Sequence, residues 1–379
     1  MSMIKNVAAL SLIAITGMAV AATVPQPPEV AAAAYIIEDA QSGQVLASKG
    51  LHDQVEPASL TKLMTAYLSF KALSEGRLKP DQMLTVSDKG WRSEGSRMFL
   101  DPKVPVSVDN LIKGMIVQSG NDACVTLAEA IAGSEEGFAQ MMNAQAKKLG
   151  MNNSHFANST GLPDPQLYTT VRDLATLSNA LIRDFPQYYP TYSIKSFTYN
   201  NITQPNRNLL LYRDSSVDGL KTGHTDSAGF NLIASSKRDG RRVITVVVGT
   251  KSMEARATES SKLLNWGLSH FQTPKLYDAG KPLSKVKVYK GSENELDVGF
   301  LQAVYVTLPR GSDEVTPVLE TIQPVVAPVK KGAELGTLKL MSGNKVLAER
   351  KVVALQDIEE AGFFGRMWDS IVLWFKNTF

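Results

Sequence analysis

The sequence predicts an α/β (α+β) fold in which helices pack on an antiparallel sheet, followed by a small all-β domain and a terminal amphipathic helix. Three observations support this prediction. Apolar residues recur at helical spacing after Ser59, Ser107 and Ser134, strand-like runs fill residues 217–249, and short alternating runs separated by Gly and Pro follow residue 274. With 379 residues and 44% hydrophobic composition, the chain can bury one large core and a second, smaller one.

The first residues are typical of an export signal. Lys5 precedes an apolar stretch at 7–20, and small residues at 19–22 offer a cleavage site. We predict a signal peptide over residues 1–22; the alternative is a membrane-spanning anchor, which needs a longer apolar run. In either case we expect the rest of the chain to leave the cytoplasm. Disulfides can form outside the cytoplasm, but a chain with a single cysteine, Cys124, cannot form an internal one.

Charge and composition exclude several function classes. The formal net charge of +3 at pH 7 falls to about +2 once Lys5 is removed, a balance too small to indicate nucleic-acid binding. The histidines show no metal-ligand spacing. We therefore predict no nucleic-acid partner, no metal and no cofactor.

The first predicted domain, residues 23–273, begins with runs at 35–39 and 44–48 that indicate a β-hairpin. Strand-like runs near its end surround an Asp239-Gly240 hairpin turn. Beyond it, the composition predicts a β-rich domain over 274–356.

Helical spacing places the polar side chains of interest at helix ends. It starts at Ser59, so this serine is expected in the first turn of a helix, which Pro57 just upstream favours. A later helix, capped by Ser107, stops before Ser119-Gly120-Asn121, and helical spacing then resumes. Ser119 and Asn121 are thus predicted in a turn between two helices, where side chains project into a cleft.

The last segment, 357–379, is predicted to be an amphipathic helix. Its apolar side is formed by Phe363, Phe364, Met367, Trp368, Ile371, Trp374 and Phe375. Because the segment is too short and too charged to span a bilayer, we expect it to lie in the plane of a membrane surface. The alternative is a helix docked on its own protein or in a dimer.

Two residues one helical turn apart form a candidate nucleophile and base. A serine hydroxyl is a weak nucleophile until a base takes its proton, and Lys62 lies three residues after Ser59 on the same helix face. Such a lysine must lose its proton through burial or a second cation, for which Lys221 is a candidate. The Ser-x-x-Lys spacing alone is weak, because it also occurs at Ser2, Ser284 and Ser342.

Order and context make the pattern specific. Ser59-Leu-Thr-Lys62 at a helix start is followed by Ser119-Gly-Asn121 in a turn and by Lys221-Thr-Gly223 in a strand. These elements resemble those of the penicillin-binding proteins and serine β-lactamases. Residues 119–124, 206–208 and 218–225, the β-rich second domain and the terminal helix are similar to the low-molecular-mass D-alanyl-D-alanine carboxypeptidases.

This resemblance, which covers essentially the whole mature chain, implies a β-lactamase/transpeptidase-like fold and a role for each matching residue. Ser59 would attack the carbonyl between the two terminal D-alanines of a peptidoglycan stem peptide, and Lys62 would accept its proton. Ser119 would relay a proton to the departing D-alanine. Asn121 would hold Lys62 and the substrate amide.

The remaining implied roles concern substrate binding. Lys221 would add positive charge, Thr222 would contact the terminal carboxylate, and Gly223 belongs to the same motif. The backbone N–H groups of Ser59 and His224 would form the oxyanion hole. Arg256 and Arg207 match positions near the family's carboxylate site and cleft, with a plain surface role as the alternative for each.

The resemblance also implies partners and a location. Expected partners are peptidoglycan stem peptides, β-lactam antibiotics and, through the terminal helix, a membrane surface. The expected location is the periplasm, peripheral to the outer face of the cytoplasmic membrane. Alternatives with the same chemistry are a D,D-endopeptidase, a transpeptidase and a β-lactamase; a different class is a non-catalytic peptidoglycan-binding protein. A Ser-His-Asp triad with His224 and Asp226 is disfavoured, because Lys62 already supplies a base.

Overall fold

The structure, a computed structural model, describes residues 5–8, 25–312, 315–343 and 345–378. It divides into a larger unit, Pro25–His270, and a smaller unit that runs from Phe271 onward and includes residues 5–8. The predicted signal peptide lies outside the described residues except for 5–8, which form a short strand, β1 (Lys5–Ala8).

The larger unit combines an antiparallel sheet with helices. Its strands are β2 (Ala34–Asp39), β3 (Val45–Lys49), β4 (Met83–Leu84), β5 (Val106–Ser107), β6 (Ser196–Tyr199), β7 (Ile202–Pro205), β8 (Val217–Thr225), β9 (Gly229–Arg238) and β10 (Arg241–Thr250). Its helices are α1 (Lys62–Ser74), α2 (Asp88–Trp91), α3 (Val108–Val117), α4 (Asn121–Ala132), α5 (Glu135–Leu149), α6 (Val171–Asp184), α7 (Leu210–Arg213) and α8 (Met253–His270). Short 3-10 helices occupy Ala58–Thr61 and Tyr189–Ser193.

The main sheet has five strands in the order β3-β2-β10-β9-β8. The predicted N-terminal hairpin is confirmed as β2 and β3, and the three later runs are β8, β9 and β10. Asp239 and Gly240 both have positive φ, 50° and 77°, as a tight two-residue hairpin turn requires. Because β8 lies at one edge of the sheet, it is free to face another element on its open side.

The helix ends follow local capping chemistry. The Ser107 hydroxyl accepts the N–H of Asn110 at 3.3 Å, which confirms the predicted cap of α3. The Ser134 hydroxyl accepts the N–H of Gly137 at 3.0 Å at the start of α5, which ends at Gly150 with a φ of 79°. The helices bury their apolar sides in one core, and α1 is enclosed almost all round.

The smaller unit is the all-β domain that the sequence predicted. Its strands are β11 (Phe271–Gln272), β12 (Lys275–Tyr277), β13 (Pro282–Tyr289), β14 (Glu295–Gly299), β15 (Val304–Tyr305), β16 (Leu308–Pro309), β17 (Thr316–Ile322), β18 (Val325–Val326), β19 (Glu334–Ser342) and β20 (Lys345–Ala354). The largest sheet has the order β1-β17-β19-β20-β14-β13-β18. It encloses a separate apolar core that includes Leu296, Val298, Leu338 and Leu340.

The terminal helix is present as α9 (Phe363–Thr378). It starts later than the sequence predicted, because residues just before it belong to the β domain. Ile358 is buried and pairs with Val329, and Glu360 pairs with Gly291. No helix among the described residues combines the length and the apolar character needed to cross a membrane.

Candidate active site

The predicted nucleophile and base lie in contact. Ser59 is in the 3-10 helix Ala58–Thr61, which runs directly into α1, and Lys62 is the first residue of α1. The Lys62 Nζ atom donates a hydrogen bond to Ser59 Oγ at 2.9 Å. The serine thus precedes the regular α-helix by one short turn, and a left-handed Ala58 (φ 48°) marks the change in chain direction.

Thr160 is a second partner of Lys62 that the sequence did not reveal. Its carbonyl accepts from Lys62 Nζ at 2.6 Å. The loop that presents this carbonyl is held by Asn158, whose side-chain oxygen accepts the N–H groups of Thr160 and Gly161. Gly161 has a φ of +83°, and a Cβ there would lie 1.8 Å from the Ala58 carbonyl oxygen. A glycine is therefore required where this loop passes the nucleophile.

Burial prepares Lys62 to act as a base. Its side chain is 1% exposed, and desolvation lowers the pKa of Lys62 to about 8, with the Arg207 charge adding to the effect. With that pKa, about a tenth of the molecules carry neutral Lys62 at pH 7. Ser59 therefore has a proton acceptor at hydrogen-bond distance near neutral pH.

The second and third motifs meet beside this pair. The Lys221 Nζ atom on β8 donates to Ser119 Oγ and to the Thr222 carbonyl, both at 3.0 Å. Ser119 lies between α3 and α4 as predicted, with a positive φ of 63°. Burial and the nearby charges of Lys62 and Arg207 hold the pKa of Lys221 well below its usual range. Lys62 thus lowers the proton affinity of Lys221, whereas burial and the Arg207 charge lower that of Lys62; an effect of Lys221 on Lys62 stays a prediction.

Gly223 explains how the edge strand β8 approaches the nucleophile. A Cβ at this position would lie 3.0 Å from the Pro57 carbonyl oxygen and 3.2 Å from the Ser59 amide nitrogen. A side chain here would force the strand or the Pro57–Ser59 segment to shift by a few tenths of an ångström, so a glycine favours the close approach. The backbone of β8 at Gly223 thus lies close to the Ser59 amide.

The motifs surround a cleft of about 490 Å³. Seven of the ten predicted site residues line it: Ser59, Ser119, Arg207, Thr222, Gly223, His224 and Arg256. Lys62, Lys221 and Asn121 are buried. The structure therefore brings all ten residues to one place.

Asn121 is held differently from the expected arrangement. It is the first residue of α4, and its Nδ2 atom donates to the Glu94 carbonyl at 2.6 Å. Its Oδ1 atom is buried and has no hydrogen-bond partner among the described residues. The bonds described for Lys62 go to Ser59 and Thr160 rather than to Asn121. The unpaired amide oxygen is available to accept an N–H group from a bound peptide.

Both predicted arginines border the cleft. Arg256 is buried, and its guanidinium donates to the Gly223 carbonyl at 3.1 Å and lies over the Phe230 ring. Burial lowers the pKa of Arg256 to about 10, so it remains a cation near neutral pH. Arg207 is exposed and donates to the Ser96 hydroxyl at 2.7 Å. The cleft therefore carries positive charge suited to a carboxylate.

Sequence reasoning missed several cleft residues. Gly95, Ser96, Phe230 and Met253 line the cleft with the predicted set. None belongs to the three motifs, and apolar residues such as Phe230 carry no functional signal in a sequence. The exposed His224 ring lies tilted by 32° against Phe230 with centroids 3.9 Å apart, while Ser59 receives its hydrogen bond from Lys62. No group of three or more His, Cys, Asp or Glu side chains within the described part of the chain is arranged to hold a metal ion.

Comparison with known proteins places this site in a family. The D-alanyl-D-alanine carboxypeptidase family matches residues 21–252, and the penicillin-binding protein 5 C-terminal domain matches residues 271–360. The D-alanyl-D-alanine carboxypeptidase DacC of Escherichia coli K12 is 41% identical over 391 aligned residues, which cover 100% of this chain and 98% of the relative.

Solved structures of penicillin-binding proteins have folds similar to that of this chain. Penicillin-binding protein 5 from Haemophilus influenzae superposes with a TM-score of 0.84 at 39% identity, covering 89% of this chain and 100% of that one. Penicillin-binding protein D2 from Listeria monocytogenes in the ampicillin-bound form has a TM-score of 0.60 at 32% identity and covers 64% of this chain and 100% of that one. The chain belongs to the D-alanyl-D-alanine carboxypeptidase family.

Proposed function

We propose that this chain is a serine-type D-alanyl-D-alanine carboxypeptidase that removes the terminal D-alanine from peptidoglycan stem pentapeptides. The observation that carries the proposal is the 2.9 Å contact between Ser59 Oγ and the buried Lys62 Nζ. A buried amine whose pKa is lowered to about 8 is a competent base for a serine nucleophile.

Acylation follows from the contacts at the site. Lys62 takes the Ser59 proton while Ser59 Oγ bonds to the carbonyl carbon of the penultimate D-alanine. The negative charge that develops on the carbonyl oxygen is stabilised by the N–H groups of Ser59 and His224. The bond to the terminal D-alanine nitrogen then breaks, and Ser119, which is hydrogen-bonded to Lys221, gives its hydroxyl proton to that nitrogen and takes the proton held by Lys62, so that Lys62 is neutral again.

The ends of the cleft fix the substrate. Thr222 and the Arg256 cation bind the terminal carboxylate, which sets the reaction at the C-terminal peptide bond. Asn121 Oδ1, unpartnered among the described residues, accepts a substrate amide. After D-alanine leaves, water attacks the acyl carbon and gives a proton to Lys62, which passes it to Ser59 Oγ as the ester bond breaks. A β-lactam, which also carries a carboxylate beside a reactive amide, acylates Ser59 in the same way.

Labelling with a fluorescent penicillin tests the proposal, with Ser59→Ala as the control. We expect stoichiometric labelling of the wild-type protein and none of the variant; an unlabelled wild type would refute the proposal at its first step. D-alanine release from a pentapeptide, compared with cleavage of a cross-linked peptide dimer, then tests carboxypeptidase against endopeptidase activity. Rapid turnover of the penicillin adduct would instead indicate a β-lactamase.

We further propose that α9 binds the outer face of the cytoplasmic membrane and that the protein is periplasmic. The aromatic side of α9 is exposed, with Phe364 79% and Trp368 68% exposed. The opposite side contacts its own domain, where the Asp369 carboxylate accepts the Lys290 N–H and Arg366 pairs with Glu360. An exposed aromatic side on a helix held by its polar side favours insertion into a lipid surface over docking on this unit.

Vesicle flotation tests the membrane proposal. The full chain should float with neutral lipid vesicles, and a chain truncated after Gly362, which keeps the buried Ile358, should not. Trp368→Glu should weaken binding, whereas Val346→Glu, the same kind of change at an exposed apolar residue on β20, serves as a matched surface control. Equal flotation of the full and truncated chains would refute the role of α9, and a cytoplasmic protein with an intact N-terminus would refute the location.

A further inference from the structure

Asp122 is a buried acid next to the site to which the proposed reaction assigns no step. It is the second residue of α4 and is 1% exposed. Both carboxylate oxygens accept the N–H of Met98 at 3.0 Å, and Oδ2 also accepts the N–H of Leu100 at 3.2 Å. Oδ1 also accepts the N–H of Ala123 at 3.0 Å. The carboxylate therefore lies in the first turn of a helix, and the partners described for it are all N–H donors.

These bonds hold residues 94–100, here called the wall loop, against the start of α4. Two further bonds complete the attachment: the Asn121 N–H donates to the Ser96 carbonyl, and Asn121 Nδ2 donates to the Glu94 carbonyl, both at 2.6 Å. Gly95 and Ser96 of the wall loop line the cleft. The position of one cleft wall and the orientation of Asn121 therefore depend on the same small network.

The hydrogen bonds between Asp122 and the wall loop flank a residue with an unusual backbone conformation, Phe99. Its φ is 63°, a left-handed backbone that a phenylalanine rarely adopts, and its side chain is 43% exposed. The amides on either side of it, at Met98 and Leu100, are the two that bind Asp122. The carboxylate thus compensates a strained residue next to the cleft.

Asp122 also influences the base, Lys62, through its negative charge. Lys62 is influenced by Arg207 from the 206–208 loop, and by Asp122 and the Cys124 thiol from α4. Burial keeps the Cys124 thiol neutral near pH 7 by raising its pKa to about 12. Lys221 on β8 donates a hydrogen bond to Ser119, and the charge of Lys62 lowers the pKa of Lys221. Of the groups that influence Lys62, Asp122 is the one that carries negative charge.

We propose that Asp122 is a positioning residue for acyl transfer: its carboxylate clamps the wall loop on both sides of Phe99 and supplies buried negative charge opposite the cations of the site. This inference rests on the proposed function, because it concerns the same acylation of Ser59. It predicts two separable effects, one on the geometry of the cleft and one on the proton affinity of Lys62.

Two Asp122 variants separate the effects. Asp122→Asn keeps the shape but removes the charge and one acceptor oxygen, so penicillin acylation should slow by up to about 100-fold. The acid limb of the pH–rate profile, that is, the pH range over which the acylation rate falls as the pH is lowered, should also move to lower pH. The reason is that loss of the negative charge lowers the pKa of Lys62. Asp122→Glu keeps the charge but displaces the carboxylate by one methylene, so the rate should fall while the acid limb stays in place.

Asp173 offers a matched control. It is also buried in the first turn of a helix, α6, and it accepts the Asn153 N–H at 2.9 Å and the Ser154 hydroxyl at 2.7 Å. Neither of these partners lines the cleft. Asp173→Asn should lose stability but keep the wild-type acid limb. If Asp122→Asn keeps the wild-type rate and limb, or if Asp173→Asn shows the same changes, the proposal is overturned.

The wild-type protein provides a test that does not need the variants to fold. Hydrogen exchange should find the Met98 and Leu100 amides protected, and exchange at the rate of an exposed loop would overturn the clamp. Labelling of the wild type by penicillin separates the two proposals. An unlabelled wild type refutes the function, whereas a labelled wild type with an unchanged Asp122→Asn variant refutes only the role of Asp122.

Discussion

Gly161 offers a sharp test of how the site is built, because its surroundings permit a worked estimate. In Gly161→Ala the new Cβ would lie 1.8 Å from the Ala58 carbonyl oxygen, although real Cβ contacts essentially never fall below 3.0 Å. One of the two segments must therefore move by at least about 1.2 Å. Ala58 precedes the nucleophile and Thr160 binds the base, so either movement separates Ser59 from Lys62.

A glycine elsewhere isolates this effect from the backbone term. Gly150 has nearly the same φ, +79° against +83°, and a Cβ there meets nothing within 4 Å. Gly150→Ala should lose only the left-handed penalty of about 1–2 kcal/mol. Gly161→Ala should lose about 1–3 kcal/mol more through overpacking. A displacement near 1 Å at the site should slow acylation by about 100-fold.

Urea unfolding and the rate of labelling by fluorescent penicillin measure the two quantities. We expect Gly150→Ala to be destabilised but to acylate at the wild-type rate. We expect Gly161→Ala to lose both stability and rate. If the two variants lose equal stability and acylate equally fast, the Gly161 contact does not position the nucleophile, and the reasoning fails.

Three further predictions concern the titration, charge and thiol of the site. The acylation rate should rise about tenfold per pH unit below pH 8 and level off above it. The reason is that Lys62, with its pKa lowered to about 8, must be neutral to accept the Ser59 proton. A flat profile from pH 6 to about 9 would exclude Lys62 as the base. Arg256→Gln should raise KM for a pentapeptide by about 10–100-fold, because a charge-assisted bond to the substrate carboxylate is lost. Arg256→Lys, which keeps the charge, should recover part of this loss. Steady-state kinetics with an unchanged KM would contradict the prediction. Thiol reagents should modify Cys124 slowly in the folded protein and fast in denaturant, because burial raises its pKa to about 12, and full activity after complete modification would show that the thiol lies outside the working site.

Sequence patterns predicted the elements of the fold well where the cause is local. The cap at Ser107 and the helix start at Ser134 were found as expected, because in each case a hydroxyl bonds the N–H three residues later. The start of α9 was predicted too early. Ile358 is apolar and was assigned to the helix, but it is buried in the core of the β domain, a choice made by packing rather than by periodicity.

By itself the sequence determined the chemical identity of the site. Ser59 with Lys62, Ser119 with Asn121, and Lys221 with Thr222 are recognisable because each pair is close in the chain and sits at a helix start, a turn or a strand. Tertiary structure alone decided how these pairs work together. The Lys62–Thr160 contact joins residues 98 positions apart, and the Lys221–Ser119 contact joins residues 102 apart.

Burial was decided at the same level. A lysine becomes a base when the protein around it excludes water, and neither the residue nor its neighbours in sequence specify that exclusion. The same holds for Asp122, whose carboxylate finds Met98 and Leu100 more than twenty positions earlier in the chain. Local spacing thus identifies the reacting groups, while their distances, proton affinities and supports arise from contacts between distant segments, which no local pattern encodes.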